Sequence, residues 1–297
     1  MYSRRRLRRL LSTVPFDIKK VRYLAAGDDS TVYLCDNKYA VKIPRHEAAA
    51  ESQKREFELY RFLETHTLPA QVPRCLWMGE KFNVMDYIPG DPITPKDYHR
   101  LTEREKERLA ADEAFFLREL HAINWTEMKF CEAAEDKRIS FTREQEELTG
   151  ILKHCGHLSA QIEIKIRLIY ENLQASDFLF RYIPCLVHND FSRSNMVFRN
   201  NRLAGVIDFG DFKISDPDND FLCLLDGSND DFGTAFGMRV LKFYEHPAPQ
   251  AALRKAQLYN AYWPIQQILY GARRKNRTLF RCGLRALPKL NPQDFIP

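Results

Sequence analysis

The chain has 297 residues, 44% hydrophobic and 29% charged, which suggests one large or two modest domains able to bury a core without disulfide staples. Such a composition excludes a disordered chain, and no apolar run approaches the ~18 residues that span a bilayer. The net charge is +5, but Arg4, Arg5, Arg6, Arg8 and Arg9 supply all of it, so the balanced body gives no reason to expect a nucleic-acid or membrane partner.

Seven cysteines (Cys35, Cys75, Cys131, Cys155, Cys185, Cys223, Cys282) lie scattered, with no Cys-x-x-Cys pair, so a zinc ribbon is not expected. The basic start runs through Leu10 and Leu11 into polar residues and Pro15, without the apolar stretch of a signal peptide. Reduced thiols and a cytoplasmic address follow as expectations, with a solvated helix face for the arginines.

In chain order, Val21–Leu24, Thr31–Cys35 and Tyr39–Ile43 read as strands separated by the turn clusters Gly27–Ser30 and Asp36–Lys38. Residues 47–64 read as a helix, and Leu76–Met78 and Phe82–Ile88 as two further strands about Gly79. Pro89-Gly90-Asp91-Pro92 marks the boundary between a β-rich first lobe, residues 1–88, and a mostly helical second lobe, residues 89–297. In that second part, Thr102–Ile123, 159–182, 232–246 and 250–275 carry helical periodicity. Pro264 is expected to kink or restart the last of these. Short strands and loops occupy Cys185–Phe209, and the fold class is α+β.

The chemistry is concentrated in two motifs. His188-x-Asp190-x4-Asn195 has the spacing of a kinase catalytic loop, and Asp208-Phe209-Gly210 follows after room for one β-hairpin. Phosphoryl transfer needs a carboxylate (Asp190) to orient the attacking hydroxyl and take its proton. It also needs an amide oxygen and a second carboxylate (Asn195, Asp208) to hold Mg²⁺ against a nucleoside triphosphate. Upstream, Ala40-Val41-Lys42 matches a strand whose lysine grips the phosphates, and Glu56 on the next helix is its natural ion-pair partner, with Glu58 as the alternative. The Gly27–Ser30 turn, ending at Ser30, would cover the phosphates, although it lacks Gly-x-Gly-x-x-Gly. His188 is read as orienting the loop backbone, and His121 as a satisfied helix-end histidine.

These motifs, with Pro184–Ser192, the stretch Ile207–Asp211 running on through Ile214–Phe221, Phe116–His121, Tyr262-Trp263 and Ile268–Gly271, make the chain resemble the aminoglycoside phosphotransferases. Within them it is most similar to the 2″-O-phosphotransferase branch. The resemblance implies the protein-kinase-like two-lobed fold, Mg²⁺, and ATP or GTP as donor; a monomer is the default expectation. It places the base against the backbone at Asp86–Ile88, with Asp86 and Ile88 as contacts, and Met85 just before them leaves ATP usable. That branch often has a histidine where this chain has Asn195, whereas the wider kinase-like fold uses asparagine.

Residues 206–231 hold Asp208, Asp211, Asp216, Asp218, Asp220, Asp226, Asp230 and Asp231 against Lys213 alone, a local negative field suited to a polycation. Asp216 and Asp220 are expected to bond to backbone beneath the catalytic loop. By resemblance, Asp211, Asp226 and Asp230 would hold substrate amines, with Trp263 as an apolar wall. The alternatives are a solvated turn capping the next helix for Asp230 and Asp231, and a core aromatic for Trp263. The expected activity is transfer of a γ-phosphoryl group to an aminoglycoside hydroxyl. A kinase of another small substrate, such as choline or a macrolide, and a non-catalytic kinase-like binding module are the competing readings.

Overall fold

The computed structural model describes residues 4–27, 29–133, 136–227 and 232–296. Two compact units divide the chain: Met1–Glu132 with Leu186–Lys213, and Ala133–Cys185 with Ile214–Pro297.

In the first unit the alternating apolar runs pair as an antiparallel sheet. Its strands are β1 (Val21–Ala26), β2 (Ser30–Cys35), β3 (Tyr39–Pro44), β4 (Cys75–Met78) and β5 (Asn83–Asp86), in the order β1-β2-β3-β5-β4. Asp36 and Asn37 take left-handed φ of 51° and 55° to turn β2 into β3, a conformation these short polar residues tolerate. Tyr33, Val41, Ile43, Phe82 and Val84 form one core cluster with Leu7, Leu11 and Val14. The arginine-rich start is therefore a helix, α1 (Arg4–Leu11), that docks its leucines, each such burial contributing roughly 1.5–3 kcal/mol.

Helix α2 (Glu47–Leu63) is capped by the His46 ring, which accepts the Ala49 amide. Residues 89–132 also pack in this unit. They include α3 (Pro95–Arg100) and α4 (Glu103–His121), the latter opened by a Thr102/Glu105 capping box. Short strand β6 (Cys185–Val187) leads to the hairpin of β7 (Met196–Arg199) and β8 (Arg202–Val206), turned by Asn200 and Asn201 at φ 53° and 57°. The segment after β5 lies against this hairpin: the Asp91 amide bonds the Phe198 carbonyl at 3.0 Å. Gly90, at φ 156°, makes the approach possible, because a Cβ there would stand 2.5 Å from the Phe198 oxygen. Arg202 pairs with Asp112 on α4 at 2.5 Å.

The second unit is entered again through β9 (Lys213–Ser215) and is otherwise helical: α5 (Lys137–His154), α6 (Ala160–Ala175), α7 (Leu222–Leu225), α8 (Thr234–Tyr244), α9 (Pro249–Arg273) and α10 (Arg277–Ala286). Helix α5 escaped the periodicity analysis because only Phe141, Leu148 and Leu152 on it are buried. Its Glu144 and Glu147 instead bond Tyr262, Gln266 and Arg273 of α9. The expected restart at Pro264 is corrected: α9 is one helix of 25 residues with Pro264 inside it. Proline removes one amide hydrogen bond, while fully buried Tyr262, Ile265, Ile268 and Leu269 hold the helix on both sides. Gly271 lets α10 close on α9, since a Cβ there would meet the Phe280 nitrogen at 2.5 Å. Among the described residues no helix is long and apolar enough to cross a membrane, and all seven cysteines are free thiols.

Candidate active site

Lys42 sits mid-strand in β3, and its ammonium is buried, 6% exposed for the whole residue. A buried ammonium is costly unless paired, and here two carboxylates pair it. Lys42 Nζ donates to Glu56 Oε2 at 2.7 Å and to Asp208 Oδ1 at 2.7 Å. Burial alone would lower the lysine pKa, but the two carboxylates outweigh it and hold the charge in place. Of the two partners, burial pushes Glu56 up. Burial also opposes ionisation of Asp208, yet Lys42 holds that carboxyl below its usual range. Glu58, the alternative partner, is exposed. Tyr60, which the sequence analysis passed over, donates to Glu56 Oε1 at 2.8 Å; its position one helical turn beyond Glu56 was the available signal.

His188, the residue after β6, is fully buried. His188 Nδ1 accepts the Asp190 amide at 3.3 Å and Nε2 donates to the Ile207 carbonyl at 3.0 Å. The histidine thereby ties the loop to the residue before Asp208, and the Ile207 amide returns to the Asn195 carbonyl at 2.8 Å. The β7–β8 hairpin between them brings Asn195 and Asp208 to one place. Asn195 Nδ2 donates to Asp190 Oδ2 at 2.7 Å and to the Asp190 carbonyl at 2.9 Å. With its nitrogen so committed, the amide oxygen is the end left for a cation. Asp208 has a side chain 52% exposed, with one oxygen on Lys42. This amide oxygen and carboxylate are the hard donors that Mg²⁺ takes, its other positions going to phosphate and water, so the residues fit that ion. Burial pushes the Asp190 carboxyl up, and Asp211 and Asp208 add to the rise against the opposing His188 and Asn195.

A cavity of about 350 Å³ lies beside these groups, within the first unit. Leu24, Val32, Ala40, Met85, Met196 and Ile207 give it apolar walls, and Lys42, Ser194 and Asp208 give it a polar end. Ser194 was not singled out from sequence. Asp86 and Ile88 line the same cavity. The Asp86 carboxylate is taken by Arg74, with Nε at 2.8 Å. The amides of Asp86 and Tyr87 bond the Arg74 and Lys38 carbonyls at 3.1 and 2.7 Å. Ser30 does not line the cavity: its hydroxyl accepts from Gln53 Nε2 at 2.8 Å. The β1–β2 turn before it is braced by His46 on Asp29 at 2.9 Å.

Asp211 closes the turn after Asp208 and is exposed. In the second unit, Asp216 does bond to backbone, but two lysines share its carboxylate. Its carboxylate takes Lys137 at 2.6 Å, Lys255 at 2.8 Å and the Asp218 amide at 3.0 Å. Asp218 takes Lys255 at 2.6 Å and His246 at 2.7 Å. The acidic run is thus partly neutralised, because the lysines that answer it come from distant α5 and α9. Asp226 caps α7 and is half-buried. Trp263 is 45% exposed and not a core residue. Asp230 lies outside the described residues.

The chain is similar over its length to solved phosphotransferase structures. The gentamicin complex of APH(2″)-IIa shares 47% identity, with 100% of this chain and 99% of that one covered and a TM-score of 0.94. The ADP-bound aminoglycoside phosphotransferase APH(2″)-Ib shares 47% identity, with 98% of each chain covered and a TM-score of 0.90. The macrolide 2′-phosphotransferase MphH from Brachybacterium faecium, at 18% identity, 96% and 98% coverage and a TM-score of 0.75, shares the fold. The fold is kinase-like α+β, and with residues 20–259 matching the model of the phosphotransferase enzyme family, the chain belongs to that family.

Proposed function

We propose that this protein transfers the γ-phosphoryl group of ATP or GTP to a hydroxyl of an aminoglycoside, the 2″-hydroxyl by likeness to its relatives, and so confers resistance. The observation that carries the reading is the double pairing of Lys42 with Glu56 and Asp208 at the polar end of a cavity whose loop also presents Asp190 and Asn195. Relatives at 47% identity were solved with gentamicin and with ADP, which supports both substrates.

The base would lie among the apolar walls and bond backbone groups at Asp86–Ile88. Lys42 would steady the phosphates. Asn195 and Asp208 would hold Mg²⁺, which would supply charge neutralisation for the transferring phosphoryl group. Asp190 orients the attacking hydroxyl and accepts its proton; burial strengthens it as a base. Asp211, Asp226, Asp230 and Trp263 are the proposed contacts for the polyamine sugar, and Ser30 a contact of the phosphate-covering turn. We retain residues 1–88 and 89–297 as nucleotide-binding and catalytic lobes, with a monomer in the cytoplasm.

The test is phosphate transfer by purified protein across kanamycin, gentamicin, choline and a macrolide, with Asp190→Asn as control. Transfer to the aminoglycosides alone is expected. Preferred turnover of choline or the macrolide refutes the reading, and nucleotide binding with no transfer to any of them favours the binding-module alternative.

A further inference from the structure

Three residues one helical turn apart on α2, Ser52, Glu56 and Tyr60, form a single stripe, and all three end on the Asp208–Gly210 segment. Glu56 does so through Lys42. The Tyr60 hydroxyl takes the Phe209 amide at 3.5 Å, and the two rings meet edge-on with centroids 5.8 Å apart. Ser52 Oγ donates to the Gly210 carbonyl at 2.6 Å.

The Ser52 bond stands apart from ordinary helix chemistry. A serine inside a helix commonly turns its hydroxyl back to a carbonyl three or four residues earlier, and serine is a weaker helix former than alanine. This one reaches a carbonyl 158 residues away. Its acceptor lies two residues beyond Asp208, whose backbone sits at φ 65°, ψ 61°. That region is sparsely populated by non-glycine residues, is tolerated by aspartate more than by most, and a residue in it is kept there by its surroundings. Gly210 is therefore held at its C=O by Ser52.

We propose that Ser52 is a positioning residue: by anchoring Gly210 it holds Asp208 in its left-handed conformation, so that Asp208 offers Mg²⁺ the oxygen that Lys42 does not use. The half-exposed Asp208 side chain leaves that oxygen accessible. The inference rests on the phosphoryl-transfer reading above.

The test uses the full-length protein, titrated calorimetrically with a non-hydrolysable ATP analogue, once with Mg²⁺ and once with EDTA. Ser52→Ala is expected to weaken binding of the metal-loaded analogue by about 10-fold and to leave the metal-free affinity unchanged. Ser52→Thr, which keeps the hydroxyl, restores wild-type behaviour. Equal affinity of Ser52→Ala and wild type for the metal-loaded analogue overturns the proposal. A parallel loss with and without metal also overturns it, since that marks general loosening of α2. A wild type that binds the metal-loaded analogue but phosphorylates nothing on the substrate panel fails the functional reading alone, and a wild type that binds neither form overturns both.

Discussion

As the proposed proton acceptor, Asp190 would combine two demands that conflict in water: being ionised to take a proton and basic enough to want one. Burial pushes its carboxyl up, and the neighbouring charges of Asp211 and Asp208 add to the rise. The ionised form is the working form, so kcat is expected to fall on the acid side, with its midpoint above the ordinary aspartate value of 3.8. Removing a like charge lowers that midpoint. In Asp211→Asn the acid limb of the pH–kcat profile should therefore move to lower pH, whereas an unmoved limb would detach Asp211 from the Asp190 field. Asp190→Asn keeps the shape and removes the proton acceptor. Its kcat should drop on the order of 10²–10⁴-fold, with nucleotide affinity retained, as steady-state kinetics and calorimetry would read.

At the scale of elements, α9 supplies the second unit with Lys255, which is 3% exposed and joins Asp216 to Asp218. Breaking a buried ion pair by removing one partner costs about 3–5 kcal/mol, because the other charges stay buried. Lys255→Met should lose stability of that size, measured by denaturant unfolding. Burial works against the Asp218 charge, but the His246 hydrogen bond and Lys255 prevail and bring its pKa down to about 2. A depressed folded-state value contributes stability above the unfolded value of 3.8 and loses it as pH falls towards 2. Melting temperature should decline through that window, and Asp218→Asn should flatten the decline.

On the scale of the whole molecule, every wall of the proposed nucleotide cavity comes from Met1–Glu132 and Leu186–Lys213. A ligand present at a hundred times its Kd stabilises what it binds by about 2.7 kcal/mol. Saturating Mg-ATP should thus slow amide hydrogen exchange mainly in β3, β5 and the β7–β8 hairpin, with the segment Ala133–Cys185 little changed. Equal protection across both units would relocate the site.

The sequence by itself determined the strand-and-turn pattern of residues 21–86 and the long α2 and α4, because alternation and helical spacing are local signals; the match of Ala40-Val41-Lys42 to the kinase strand motif pointed to Glu56 as the partner of Lys42, with Glu58 open. It also carried the order His188, Asp190, Asn195, Asp208, since one hairpin between two motifs leaves few ways to arrange them. Tertiary structure alone decided the rest. The lysines that neutralise Asp216 and Asp218 lie 79 and 39 residues from Asp216, and Ser52 meets Gly210 across 158. Helix α5 shows too narrow an apolar stripe because its glutamates bond α9, and α9 passes Pro264 because packed neighbours hold both halves. Each of these depends on which distant groups meet in the folded core, and local periodicity carries no record of that.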